Sequence, residues 1–157
     1  ASLTLIVTHA GGVTAIIPPL KGLPLFLRAQ TAPSPSKRIE ALMELLIPDE
    51  VRAQRSRREL LAGLSQDFIP KPPIATRLRH FWAIFRHNVR KRLSDIRCPT
   101  LIVKAGHDLL VNPKGSDTLY EGITHSELFY VEVAGHGMIR QKDTGLNDRI
   151  LKHLSQV

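Results

Sequence analysis

Short, wholly apolar runs alternate along this chain with longer stretches in which apolar residues recur every three or four positions, a pattern that predicts strands joined by helices. Leu3-Thr4-Leu5-Ile6-Val7 is the first run, closed by the turn-prone Thr8-His9-Ala10-Gly11-Gly12. The second is Thr100-Leu101-Ile102-Val103-Lys104-Ala105 and the third Leu128-Phe129-Tyr130-Val131-Glu132-Val133. All three are rich in β-branched, leucine or aromatic residues and bounded by Gly or Pro, as strands are. Between the first two, the prolines from Pro18-Pro19 to Pro33 and Pro35 predict an irregular connection. Ser36 is then the expected cap of a helix carrying Ile39, Leu42, Met43 and Leu46, which Pro48 ends. A second helix is expected from Asp49 through Leu60, Leu61 and Leu64, with Arg52, Arg55, Arg57 and Arg58 on its outer face. Pro70, Pro72 and Pro73 break the chain before a third, from Thr76 to Ile96, with Leu78, Phe81, Trp82, Phe85, Val89 and Leu93 on one face. Lys114 to Gly122 reads as a crossover helix, and Leu146, Ile150, Leu151 and Leu154 mark a final one.

This order predicts an α/β protein whose mostly parallel sheet of about three strands carries a helical insertion. The expected parts are a first core strand with its Pro-rich connection (1–34), a helical cap (35–95) and an α/β segment (96–157). Each connection is long enough for a parallel crossover, so neighbouring strands should run the same way. The residues that follow the second and third runs would then share the sheet edge where open α/β sheets build their sites. Those residues are Gly106-His107-Asp108 and Ala134-Gly135-His136-Gly137. An aspartate there could orient a histidine, and the histidine could act as a general base. Taken singly, Asp108 is as well suited to cap a turn and His136 to fill one, although its flanking glycines permit the tight backbone that points an imidazole into a cleft.

The stretch Leu93-Ser94-Asp95-Ile96-Arg97-Cys98-Pro99-Thr100-Leu101-Ile102-Val103-Lys104-Ala105-Gly106-His107-Asp108-Leu109-Leu110-Val111 resembles the segment of α/β-hydrolase-fold enzymes that ends in the triad acid. Ala134-Gly135-His136-Gly137 resembles their histidine turn, and a separation of 28 residues suits the pair. The resemblance covers the chain as that family's second half: the strand after the nucleophile elbow, the cap, then the acid and histidine strands. It implies an esterase- or lipase-like serine hydrolase acting on a small apolar acyl substrate, with Asp108 and His136 catalytic. Dehalogenases, haloperoxidases and carbon-carbon bond hydrolases share the family, so the reaction class stays open. The Gly-x-Ser-x-Gly elbow occurs nowhere in the 157 residues. Gly63-Leu64-Ser65-Gln66-Asp67 and Gly115-Ser116 come nearest but lack its strand-turn-helix setting. The chain alone is therefore expected to be inactive. It also opens at Ala1 straight into a strand-like run, which predicts that it was cut from something longer or is a processed or abridged product.

Composition adds less. A single cysteine, Cys98, excludes an internal disulfide, weakly suggests a reducing, cytoplasmic setting, and reads as a small buried apolar residue. No apolar run is long enough to span a bilayer. No His or Cys pair stands at ligand spacing, so neither a metal nor a cofactor is expected. His9, at the end of the first strand, is a candidate pocket residue, while His80, His87, His107, His125 and His153 are expected on the surface. The net charge of +8 is concentrated between Arg52 and Arg97. Arg77, Arg79, Arg86, Arg90, Lys91 and Arg92 surround the Phe81, Trp82 and Phe85 stripe, which could meet an anionic surface. The preferred expectation is that the stripe lines the substrate cleft and the arginines face solvent, with weak anionic-surface contact and no nucleic-acid partner. From a different class comes the alternative of a non-catalytic scaffold that binds through its basic cap. The first strand, apolar on both faces and unpaired on one side, predicts self-association.

Overall fold

In the computed structural model, which describes residues 1–12, 17–68, 72–142 and 144–156, three parallel strands form a sheet in the order β1 (Leu3–Ile6), β2 (Thr100–Ala105), β3 (Ser126–Val131). The register aligns Leu5 with Ile102 and Leu128 on one face, and Ile6 with Val103 and Phe129 on the other. Each row meets its own core. Ile102 joins Ala10, Leu93, Leu119 and Ile123. Leu101, Val103 and Ala105 join Val7, Ala134, Met138 and Leu146. β2 is thus covered above and below, which is why it reads as a continuous apolar run instead of an alternating one.

The helices that follow β2 and β3 cover opposite faces. α6 (Lys114–Gly122) supplies Leu119, and α7 (Leu146–Ser155) supplies Leu146 and Ile150. Lys104 anchors α6 to the sheet, its Nζ lying 2.6 Å from Asp117 Oδ1 and over the Tyr130 ring. The α7 face differs from expectation: Leu151 and Leu154 are exposed, and His153, expected at the surface, is 3% exposed with a buried Nε2 that has no hydrogen-bond partner among the described residues. Cys98 is half-buried, not buried, because only the strand after it enters the core.

The helical layer departs further from the periodicity. α1 (Leu23–Thr31) occupies the stretch expected to be irregular. Its one proline, Pro24, stands in the first turn, where the missing N–H has no intrahelical partner to lose. α2 (Pro35–Leu46) is capped by Ser34, whose hydroxyl accepts from Lys37 N at 3.3 Å, and not by Ser36. The expected single helix from Asp49 is two, α3 (Asp49–Ala53) and α4 (Arg57–Phe68). Ser56 and Glu59 part them with a capping box: Ser56 Oγ accepts from Glu59 N, and Glu59 Oε2 accepts from Ser56 N. Of the expected Pro breaks, Pro70 lies outside the described residues. α5 (Ile74–Arg86) stops ten residues short of Ile96 because the next backbone turns to pair with the loop after β1. Val89 N donates to Ala10 O and Gly12 N to His87 O, so the chain closes a small antiparallel bridge before a 3₁₀ turn (Arg90–Asp95). Gly11, at φ 82°, could not carry a side chain there, since its Cβ would overlap His87. α1, α2 and α4 share a core of Ala29, Ile39, Leu42, Leu45, Leu60 and Leu64, tied at the rim by Arg28 to Glu44 and Arg57 to Glu40. Among the described residues no helix is long and apolar enough to cross a membrane.

Leu101 sits at the centre of the sheet with none of its surface exposed. Leu101→Ala should cost about 2–5 kcal/mol in a guanidinium melt, because the close-packed β2 neighbours cannot fill the space; a cost under about 1 kcal/mol would mean that β2 is not the centre of this core.

Candidate active site

The two turns met in the sequence come together at the ends of β2 and β3. His136 Nδ1 lies 2.9 Å from Asp108 Oδ2. Parallel pairing puts the two turns at one edge of the sheet, and His107 N donating to Ala134 O at 2.8 Å holds them side by side. Asp108 is 4% exposed and uses its oxygens for separate tasks. Oδ1 accepts the backbone N–H groups of Leu110 and Val111, both at 2.8 Å, which fixes the carboxylate. Oδ2 is left to the imidazole. Asp108 thus caps its own turn and contacts the imidazole at once. A carboxylate only accepts, so Nδ1 carries the shared proton, and in the neutral ring Nε2 keeps a lone pair. The His136 side chain is 28% exposed, enough to meet another group. Among the described residues the ring is hydrogen-bonded to Asp108 alone.

Closeness requires glycine immediately before His136. A Cβ on Gly135 would stand 2.5 Å from the Leu46 carbonyl oxygen and 2.9 Å from Pro48 Cδ. Gly137 N donates to the same carbonyl at 2.9 Å, so the histidine turn is seated on the end of α2. Gln141 closes it from the other side, accepting from Gly135 N and donating to Val133 O.

His9 follows β1 onto the same sheet edge and lines a cleft of about 570 Å³. Its Nδ1 accepts from Gly11 N at 2.9 Å, and Gly115 at the start of α6 leaves room for its Cβ. Leu110 and Val111, held by Asp108, line the same cleft, which joins it to the acid turn. Phe81 is there too, edge-on to Phe26 of α1 with ring centroids 6.1 Å apart. Trp82 and Phe85 are not among its described lining residues. They are 60% and 59% exposed, stacked on each other, with Arg86 over the Trp82 ring. The stripe is therefore split: Phe81 turns to the cleft, beside Ile84 from outside the stripe, whereas Leu78, Trp82 and Phe85 turn outward. His107 is exposed beside Glu50, as expected of a turn residue. The cleft also contains Gln30, Arg38, Arg77 and His80, which sequence reasoning missed. Gln30 falls in the stretch expected to be irregular, and Arg77 and His80 stand at positions expected to face solvent.

A parallel sheet that delivers an aspartate and a histidine from successive strand ends, beneath a layer of helices, is the arrangement of the α/β-hydrolase fold. The sequence matches no family model. Solved structures bear out the fold. A hydrolase from Pseudomonas aeruginosa PA01 superimposes with a TM-score of 0.72 and 15% identity over 98% of this chain and 55% of its own. An enol-lactonase from Burkholderia xenovorans LB400 does so at 0.70 and 17%, over 98% of this chain and 56% of its own. A thermophilic esterase from Thermogutta terrifontis gives 0.70 and 18%, over 99% and 56%. A putative carbamate hydrolase, RutD, of Rhizobium rhizogenes is 32% identical over 77 residues, 49% of this chain and 29% of that protein. The chain has the α/β-hydrolase fold, over little more than half the length of these structures.

Burial first, and then the neighbouring His87, hold the His9 ring below its ordinary 6.5. The unfolded chain therefore takes up this proton more readily than the folded one, and the linkage makes the fold lose stability as pH falls below about 6.5, levelling off once the lowered value is passed. Urea midpoints measured from pH 7.5 down to about 5 should fall more steeply for the parent chain than for His9→Gln, whose amide oxygen can still accept from Gly11. Parallel midpoints would contradict this.

Proposed function

We propose that this chain supplies the acid and base of a serine-type acyl hydrolase. Asp108 holds His136, and His136 Nε2 removes the proton from a nucleophilic hydroxyl as that oxygen attacks the substrate carbonyl. The imidazolium then hands the proton to the leaving alcohol, and a water molecule repeats the cycle to release the acid. The observation that carries this reading is the 2.9 Å contact between a buried carboxylate and a partly open imidazole, whose other nitrogen is an acceptor when the ring is neutral. The nucleophile and the oxyanion hole would come from outside these 157 residues, since no Gly-x-Ser-x-Gly stands within them. The open edge of β1 would receive the strand that brings them, or else β1 of a second copy. A small, largely apolar ester-like substrate suits the Phe26 and Phe81 walls, and the esterase and the enol-lactonase among the similar structures act on bonds of that kind.

A second reading, a non-catalytic scaffold meeting an anionic surface, is favoured by one observation: Leu78, Trp82 and Phe85 are exposed together on α5 beside Arg79 and Arg86. One substitution separates the two. In the protein that carries this segment, His136→Ala should lower kcat for p-nitrophenyl butyrate by about 10³-fold or more while KM moves by less than about threefold. A loss of less than about tenfold would overturn the hydrolase reading. If the same variant leaves phosphatidylserine-vesicle binding intact and no hydrolysis exists to lose, the scaffold reading takes its place. The 157-residue chain alone should turn the ester over no faster than free imidazole.

A further inference from the structure

The cleft beside the acid turn has an unusual mixture of walls. Leu23, Phe26, Phe81, Ile84 and Leu110 make it apolar, yet Arg38 from α2 and Arg77 from α5 both enter it. No described lining residue carries a carboxylate. The two guanidiniums act on each other: burial, and then the charge of Arg77, push the Arg38 group below its usual value. Arg77 donates from Nη1 to Gln30 Oε1 at 3.3 Å, while its Nε is buried and, among the described residues, has no hydrogen-bond partner. The Arg77 charge is thus answered, among the described residues, only by the neutral Gln30, between apolar walls and next to a second cation, an arrangement that costs free energy. An anion in the cleft relieves it, because hydrogen bonds from a guanidinium to a carboxylate are charge-assisted. Apolar walls and a cation pair together select a ligand with the same two halves.

We infer that this cleft takes an acyl compound bearing a free carboxylate, its charge on Arg77 with Arg38 alongside, and its hydrocarbon body against Phe26 and Phe81. The inference rests on the hydrolase reading for its biological meaning, because it names that enzyme's substrate class as carboxylate-bearing esters or lactones. The binding itself does not need catalysis.

Calorimetric titration with 4-phenylbutyrate and with its neutral twin, 4-phenylbutyramide, tests it. The acid should bind about tenfold more tightly than the amide, the gain of a charge-assisted pair. Arg77→Gln should bring the acid to within about twofold of the amide while leaving the amide unchanged, which also shows that the variant is folded. Arg38→Gln should weaken the acid in the same direction. Equal binding of acid and amide by the parent chain, or binding of neither, overturns the inference. So does inorganic phosphate binding as tightly as 4-phenylbutyrate, since the apolar walls would then contribute nothing. His136→Ala should bind the acid as the parent does. Loss of hydrolysis in His136→Ala with no preference for the acid sinks the inference alone; a clear preference for the acid with hydrolysis intact in that variant sinks the hydrolase reading alone.

Discussion

The burial of β2 on both faces is the constraint on which the rest of this structure depends. A strand with solvent on one side can slide or tilt; one enclosed by β1, β3 and two apolar layers has a single register. Leu101, Val103 and Ala105 are committed to one core and Ile102 to the other. With β2 fixed, the position of Asp108 three residues past its end is fixed as well. Parallel pairing with β3 then places the histidine turn at the same level, and the short bond between the two side chains follows from the sheet, with no separate arrangement needed.

Around this pair the helical layer acts as a mould. The end of α2 presses its Leu46 carbonyl onto the turn that carries His136, so that glycine is the only residue that fits at position 135. The same helix sends Arg38 into the cleft, and α1 sends Phe26 and Gln30. The insertion therefore shapes the cleft and steadies the base at once. A change in the α2 core at Leu42 or Leu45 is expected to be felt at both.

What the sequence discloses and what it hides divide along physical lines. The strands, the crossover helix from Lys114 to Gly122 and the acid and histidine turns were legible because a buried parallel sheet imposes unbroken apolar runs, and the turns at its edge must be glycine-rich. Strand ends shifted by a residue or two, as in β3, which begins at Ser126 and ends at Val131. The helical layer was less legible. α1 was concealed by prolines whose one member inside the helix falls in its harmless first turn, and the division of α3 from α4 was written in Ser56 and Glu59 but overridden by a continuous apolar period. α5 ends where a tertiary bridge, invisible to local pattern, claims the backbone. The same blindness explains the cleft arginines and His153. Periodicity sorts residues by face, and it carries no information on which polar side chain is enclosed by a neighbouring element.

The bridge between the loop after β1 and the end of α5 has a mechanical meaning. Ala10 and Gly12 are bonded to Val89 and His87, and His9 lies immediately before them with its ring against that of His87. The C-terminal end of α5 is in this way joined to the loop that follows the first strand. The cleft wall made by α5 and the one made by His9 are therefore tied through two backbone hydrogen bonds, and a displacement at one end is passed to the other.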